Sequence, residues 1–223
     1  MTDAHAVRLE GVSKRYQRGP ETVHAVEDVT LAVPPGDYVA VVGHSGSGKT
    51  TLLNLMGCLD RPSTGRVLVH GREIHAAGEA ELAAVRRASI GFVFQQFFLI
   101  PTLTVLENVQ LPALFSRRAD RQERARGLLE RVGMGHRLHH RPGQLSGGEK
   151  QRAAIARSLI NDPRILLADE PTGNLDNRNA AVVMDLFQDL HRQGLTVVVV
   201  THNPDLARRC TRTVHIEDGR LVA

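Results

Sequence analysis

The chain has 223 residues, 42% of them hydrophobic, which is enough for one substantial core and a smaller subdomain. No uninterrupted apolar run approaches the roughly 18 to 20 residues that cross a bilayer, and the opening Met1-Thr2-Asp3-Ala4-His5 lacks the charged-then-apolar order of a secretory signal. With 28 basic against 24 acidic residues, the net charge of +4 is too slight to argue for nucleic acid, and Cys58 and Cys210 have no disulfide-framework or zinc spacing.

In chain order, apolar and β-branched runs at 7–10, 29–33 and 38–42 read as strands. The third leads directly into Gly43-His44-Ser45-Gly46-Ser47-Gly48-Lys49-Thr50-Thr51 and a helix over 49–59, the strand-loop-helix context of a phosphate-binding loop. Its glycines let successive backbone N–H groups turn around phosphate oxygens, and the helix adds its positive N-terminal end. Lys49 would reach the β- and γ-phosphates, and the Thr50 hydroxyl would ligate Mg²⁺.

A helix at 79–88 precedes a strand at 90–94. Gln95, just beyond that strand, fits either a contact to Mg²⁺ or the attacking water, or an ordinary polar strand end. Helices at 104–115 and 121–132 follow with no strand between them, and Pro101 and Pro142-Gly143 mark the edges of this run. The chain therefore reads as a single domain over 1–223, with a helical subdomain inserted at about 101–144 and suited to contacting a partner. The mixed charges over 117–124, with no interleaved aromatics, read as a solvated helix face. His136, His139 and His140, interspersed with Arg137 and Arg141, read as an exposed loop.

Leu145-Ser146-Gly147-Gly148-Glu149 opens an Ala-rich helix over 147–160, so Ser146 and the Gly147-Gly148 amides form a second anion-binding helix start. The strand at 165–168 ends in adjacent carboxylates. Asp169 would hold Mg²⁺ through water, and Glu170 is the candidate general base or water-orienting group. After a helix at 179–192, a strand at 196–200 runs into Thr201 and His202, placing the imidazole on the strand edge where α/β folds bind ligands. A short helix is predicted at 204–209. The strands at 90–94, 165–168 and 196–200 are nearly continuously apolar, as in a sheet covered by helices on both faces, so the fold class is α/β.

With all these elements in this order, the chain resembles the ATP-binding subunit of ABC transporters over essentially its whole length. The resemblance implies a P-loop NTPase core of ABC ATPase type with an antiparallel β subdomain and an inserted α-helical subdomain. It also implies that Tyr16 stacks on adenine, although its local sequence equally fits a half-buried strand aromatic. Gln95 becomes the Q-loop residue, Asn174-Leu175-Asp176 the D-loop and His202 the switch histidine. The Ser-Gly-Gly turn becomes the signature, facing ATP held by the opposite subunit.

Ala168-Asp169-Glu170-Pro171-Thr172-Gly173-Asn174-Leu175-Asp176 is similar to the lipoprotein-release, macrolide-export and cell-division branch. Val23-His24-Ala25-Val26 and Ser47-Gly48-Lys49-Thr50-Thr51-Leu52-Leu53-Asn54-Leu55 favour the first two. Glu149 stands where many relatives have Gln, and Glu is common in this branch. The implied function is hydrolysis of MgATP by a homodimer that drives an integral membrane permease from the inner face of the membrane, with no nucleic acid partner. The alternative is an ATPase that regulates a cell-division or cell-wall complex without transport.

Overall fold

The computed structural model describes residues 5–116 and 118–222. Residues 1–4, Ala223 and Arg117, which heads the charged run at 117–124, lie outside them. Ten strands and seven α-helices are described: β1 (Val7–Arg18), β2 (Glu21–Val33), β3 (Tyr38–Val42), α1 (Lys49–Met56), β4 (Thr64–Val69), β5 (Arg72–Glu73), α2 (Glu79–Ser89), β6 (Ile90–Val93), α3 (Val105–Phe115), α4 (Arg121–Arg131), α5 (Gly147–Ser158), β7 (Ile165–Asp169), α6 (Asn177–Arg192), β8 (Thr196–Thr201), α7 (Pro204–Arg209), β9 (Arg212–Glu217) and β10 (Arg220–Val222).

Two sheets result. One is antiparallel, in the order β2-β1-β4-β5. The other runs β10-β9-β3-β8-β7-β6, parallel from β9 to β6 with β10 antiparallel at its edge.

The parallel strands alternate strictly between two cores. Val39, Val41, Leu167, Val198 and Val200 join Leu52, Leu53 and Met56 of α1 and the inner face of the antiparallel sheet. Tyr38, Leu166, Ala168, Val197 and Val199 face the other way, onto Ile155 and Ala156 of α5 and Phe187 of α6. Each fully buried Val or Leu stabilises the fold by roughly 1.5–3 kcal/mol, so both faces of the sheet are fixed and its register with them. All five loops at the carboxyl ends of the parallel strands therefore emerge from a rigid base.

Helix α3 packs on α4 and α5, and only two short 3-10 turns, at Gly135–Arg137 and Pro142–Gln144, separate α4 from α5. Thr104 starts α3 with a reciprocal capping box to Glu107. The fully buried Asn108 then ties the approach to this helix: its side-chain oxygen accepts from Ile100 N–H, and its amide donates to the carbonyls of Ile100 and Thr104. Among the described residues no helix is long and apolar enough to cross a membrane.

The structure extends β1 and β2 well beyond the apolar runs, and adds β4, β5, β9 and β10. In β4 only Val67 and Val69 are buried, and in β9 only Ile216. β9 exposes four of its six residues and β4 three, so backbone pairing holds much of each strand and only a short hydrophobic signal is left to read.

Candidate functional site

The phosphate loop leaves β3 at Val42 and enters α1 at Lys49. Two glycines make this path possible. A Cβ on Gly43 would lie 2.2 Å from the Ile216 carbonyl oxygen; one on Gly48, whose φ is +102°, would lie 2.2 Å from that of Ala25. No side chain fits either place. Lys49 curls back so that its ammonium donates to the carbonyls of Gly43, at 2.9 Å, and His44, at 2.7 Å. The Ser47 hydroxyl is buried without a partner beneath the loop. Above the loop is a cavity of about 660 Å³, lined by residues 43–46, Gly48, Lys49, Thr50 and Thr51, by Val23, His24 and Ala25 of β2, and by Gln95, Asp169, Glu170, Val200 and His202.

The ends of β6, β7 and β8 thus deliver their polar residues into one space. Thr50 Oγ1 donates to Asp169, 3.3 and 3.1 Å from its two carboxylate oxygens. Burial pushes the Asp169 carboxyl above its usual range, and the neighbouring Glu170 charge adds to this against Thr50 and Lys49. A hydroxyl and a desolvated carboxylate side by side are hard oxygen donors of the kind Mg²⁺ takes when phosphate and water complete its shell.

Glu170 takes a left-handed backbone conformation at φ +44°, an uncommon one for a non-glycine residue. Its Oε1 lies 2.8 Å from His202 Nδ1, and its Oε2 accepts, at 3.4 Å each, from Thr201 Oγ1 and His202 N–H. Gln95 and Asn174 exchange hydrogen bonds, Asn174 Nδ2 to the Gln95 carbonyl at 2.9 Å and Gln95 Nε2 to Asn174 Oδ1 at 3.3 Å.

None of residues 145–149 lines this cavity. Ser146 caps α5 with a reciprocal box: Glu149 N–H donates to Ser146 Oγ at 3.3 Å, and Ser146 N–H to Glu149 Oε2 at 2.9 Å. Leu145 is buried. Gly148 lies against α6, where a Cβ would fall 2.0 Å from Asn179 Oδ1, whereas one on Gly147 would meet nothing closer than 3.6 Å. Asn179 is held in turn by Asp176, the N-cap of α6, through both its backbone and its side-chain N–H at 2.8 Å. Those bonds, the backbone one first, hold the Asp176 carboxyl below the usual carboxylate range. The side chain of Leu175 packs into the core shared by α5 and α6.

Tyr16 stands apart from the cavity lining. Its hydroxyl donates to Asp60 at 2.7 Å, and its ring lies beneath the Lys14 ammonium at 4.9 Å. Burial, with Asp60 beside it, pushes the phenol up to about 12.

Two further residues connect these parts. Gln151, fully buried on α5, donates to the carbonyl of Pro171 at 2.7 Å. Arg137, in the loop that reads as solvated, donates to Glu149 Oε1 at 3.0 Å. Gln151 stands between Lys150 and Arg152, so nothing local marks either residue.

A family model described as ABC transporter matches residues 26–173. A macrolide export ATP-binding/permease protein of Paracoccus denitrificans is 50% identical over all of this chain, which spans 34% of that protein. An uncharacterized ABC transporter ATP-binding protein of Thermotoga maritima is 51% identical, the alignment covering 96% of this chain and 93% of that one. Among solved structures, the ATP-binding cassette MJ0796, as a dimer in a post-hydrolysis state bound to ADP and Pi, superposes with a TM-score of 0.91 at 43% identity, over 97% of both chains. The chain spans about a third of the macrolide-export relatives, in which ATP-binding and permease parts form one protein.

Proposed function

We propose, from the premise that this chain belongs to the ABC transporter family, that it is the ATP-binding and ATP-hydrolysing subunit of a transporter and closes with a second copy of itself around two MgATP. One observation carries this reading: the Ser-Gly-Gly helix start is capped, exposed at Ser146 and half-buried at Gly147, and absent from the cavity of its own chain. A head-to-tail pair gives that helix start a phosphate to face, and two-fold symmetry supplies both sites at once.

Within each site, Lys49 leaves the two loop carbonyls for the β- and γ-phosphates, and residues 43–48 wrap them with backbone N–H groups. Thr50 and Asp169, with Gln95 at the rim, hold Mg²⁺, which when bound neutralises charge developing on the phosphate oxygens. Glu170 orients the attacking water and accepts its proton, with His202 holding the carboxylate and the γ-phosphate in line. Tyr16 stacks on adenine, and Asn174, Leu175 and Asp176 meet the second copy. Residues 145–149 bind the γ-phosphate across the interface.

The partner is an integral membrane permease, engaged by the helical subdomain at 101–144 from the inner face of the membrane, with lipoprotein, macrolide or peptide export or release as the transport class. A groove of about 490 Å³ between α2, α3 and α5, edged by Leu59, Phe92, Pro112 and the exposed Phe115, supports that placement. Glu170→Gln tests the core of the reading. That variant is expected to bind ATP, to lose at least about two orders of magnitude in turnover, and to accumulate as a dimer with MgATP. A chain that stays monomeric on sizing at saturating MgATP refutes the composite site.

A further inference from the structure

Glu149 poses an electrostatic problem for the site just proposed. It occupies the first turn of α5 and accepts the Ser146 N–H, so part of the positive helix end is spent on the chain's own carboxylate. A phosphate approaching the same helix start meets that negative charge. The loop between α4 and α5 supplies the answer: Arg137 Nε donates to Glu149 Oε1 at 3.0 Å, and Arg137 Nη1 is 3.0 Å from His140 Nε2. This loop is itself fixed. Arg137 N–H donates to the Met134 carbonyl, His140 N–H to the Arg137 carbonyl, and Val105 N–H, at the start of α3, to the His140 carbonyl.

We propose that Arg137 is a positioning residue for the γ-phosphate of ATP held by a second copy, acting through Glu149, whose charge it cancels and whose carboxylate it turns away from the incoming anion. The proposal rests on the two-copy reading above. With Glu149 fixed, Ser146 Oγ accepts the Glu149 N–H, which holds the hydroxyl at the helix start. The Ser146 N–H, then the Ser146 hydroxyl and Arg137, also hold the Glu149 carboxyl below the usual range, so its charge persists through the physiological range. Without Arg137 the carboxylate keeps its Ser146 N–H, but its charge is left unbalanced beside the incoming phosphate. Were position 149 a neutral amide, Arg137 would have no charge to cancel.

The test is a double-mutant cycle in the Glu170→Gln background. It reads the dimer dissociation constant at saturating MgATP by analytical ultracentrifugation, and ATP loading of the monomer separately with a fluorescent ATP analogue. Arg137→Ala is expected to weaken the dimer about tenfold per site, hence about a hundredfold for two sites. In a chain that also carries Glu149→Gln, the effect of Arg137→Ala is expected to shrink to about threefold or less. An unchanged dimer in Arg137→Ala overturns the proposal. A weakened dimer that Glu149→Gln leaves equally weakened overturns it too, since a purely structural arginine would behave that way. If the Glu170→Gln parent loads ATP yet never dimerises, the two-copy reading fails first, and that result is distinct from either of these.

Discussion

Gly147→Ala and Gly148→Ala should separate stability from catalysis at adjacent positions. A Cβ on Gly148 lies 2.0 Å from Asn179 Oδ1, 2.3 Å from its Cγ and 2.9 Å from its Cβ. Rotating the Asn179 amide away relieves the first two contacts and breaks its bond to Asp176, at about 1 kcal/mol. The Cβ contact remains, so α5 and α6 must also part, and overpacking of this kind costs about 1–3 kcal/mol. Together these give about 2–4 kcal/mol, which for a domain of this size lowers the melting temperature by about 4–16 °C. At Gly147 the nearest atom is 3.6 Å away, an ordinary contact, and alanine is the better helix former. Gly147→Ala should therefore melt at or above the parent temperature and still lose most of its turnover, because its methyl group stands where the second copy's phosphate is proposed to sit. Differential scanning calorimetry beside a phosphate-release assay reads both quantities. A Gly148→Ala chain that melts with the parent refutes the packing argument, and a Gly147→Ala chain with full turnover refutes the anion-site argument.

Asp169→Asn is expected to raise the melting temperature of the nucleotide-free chain at pH 7 while abolishing Mg²⁺-dependent turnover. The sign follows from the raised carboxyl: the native state binds its proton more tightly than the unfolded chain, so ionised Asp169 costs stability at neutral pH. That cost is relieved as pH falls through the native value and is gone below about 4, so the advantage of asparagine should fade over the same interval. Calorimetric melts from pH 8 to pH 4 check it, and a pH-independent difference counts against the desolvation argument. Tyr16→Phe removes only the bond to Asp60 and should leave ATP affinity within about threefold, whereas Tyr16→Ala removes the ring and should weaken it about tenfold. Equilibrium titration with a fluorescent ATP analogue decides it, and equal losses in both variants would tie affinity to the hydroxyl rather than to stacking.

What the sequence made legible depended on whether a residue's work is local. The phosphate loop, the carboxylates after β7 and His202 after β8 each sit at the end of an apolar strand, and a buried parallel strand announces itself by composition. The Ser146-Gly147-Gly148 helix start is a three-residue run ahead of an Ala-rich helix and is equally local, whereas its reciprocal bond to Glu149 shows only in the structure. The salt bridge from Arg137 to Glu149 spans 12 residues and the bond from Gln151 to Pro171 spans 20, and neither has a spacing rule. For β4 and β9 the reason differs. Their ladder bonds come from backbone groups that every residue carries, and only three of their side chains, Val67, Val69 and Ile216, are buried.

The Ser-Gly-Gly helix start does not line the cavity beside the phosphate loop, yet it is fastened to residues that do. From α5, Gln151 reaches the Pro171 carbonyl next to Glu170, and Gly148 abuts Asn179, which Asp176 holds. From the cavity, Gln95 is bonded to Asn174, two residues before Asp176. These links are short, and the one from Gln151 to Pro171 is buried, so they tie Glu170, residues 174–176 and the start of α5 to one another. In the two-copy arrangement, release of phosphate at one site therefore bears on the helix start that serves the other. Gln95 follows β6, whose Phe92 lines the groove edged by Pro112 and Phe115. A permease seated there would, on the two-copy reading proposed above, be in reach of changes at both sites.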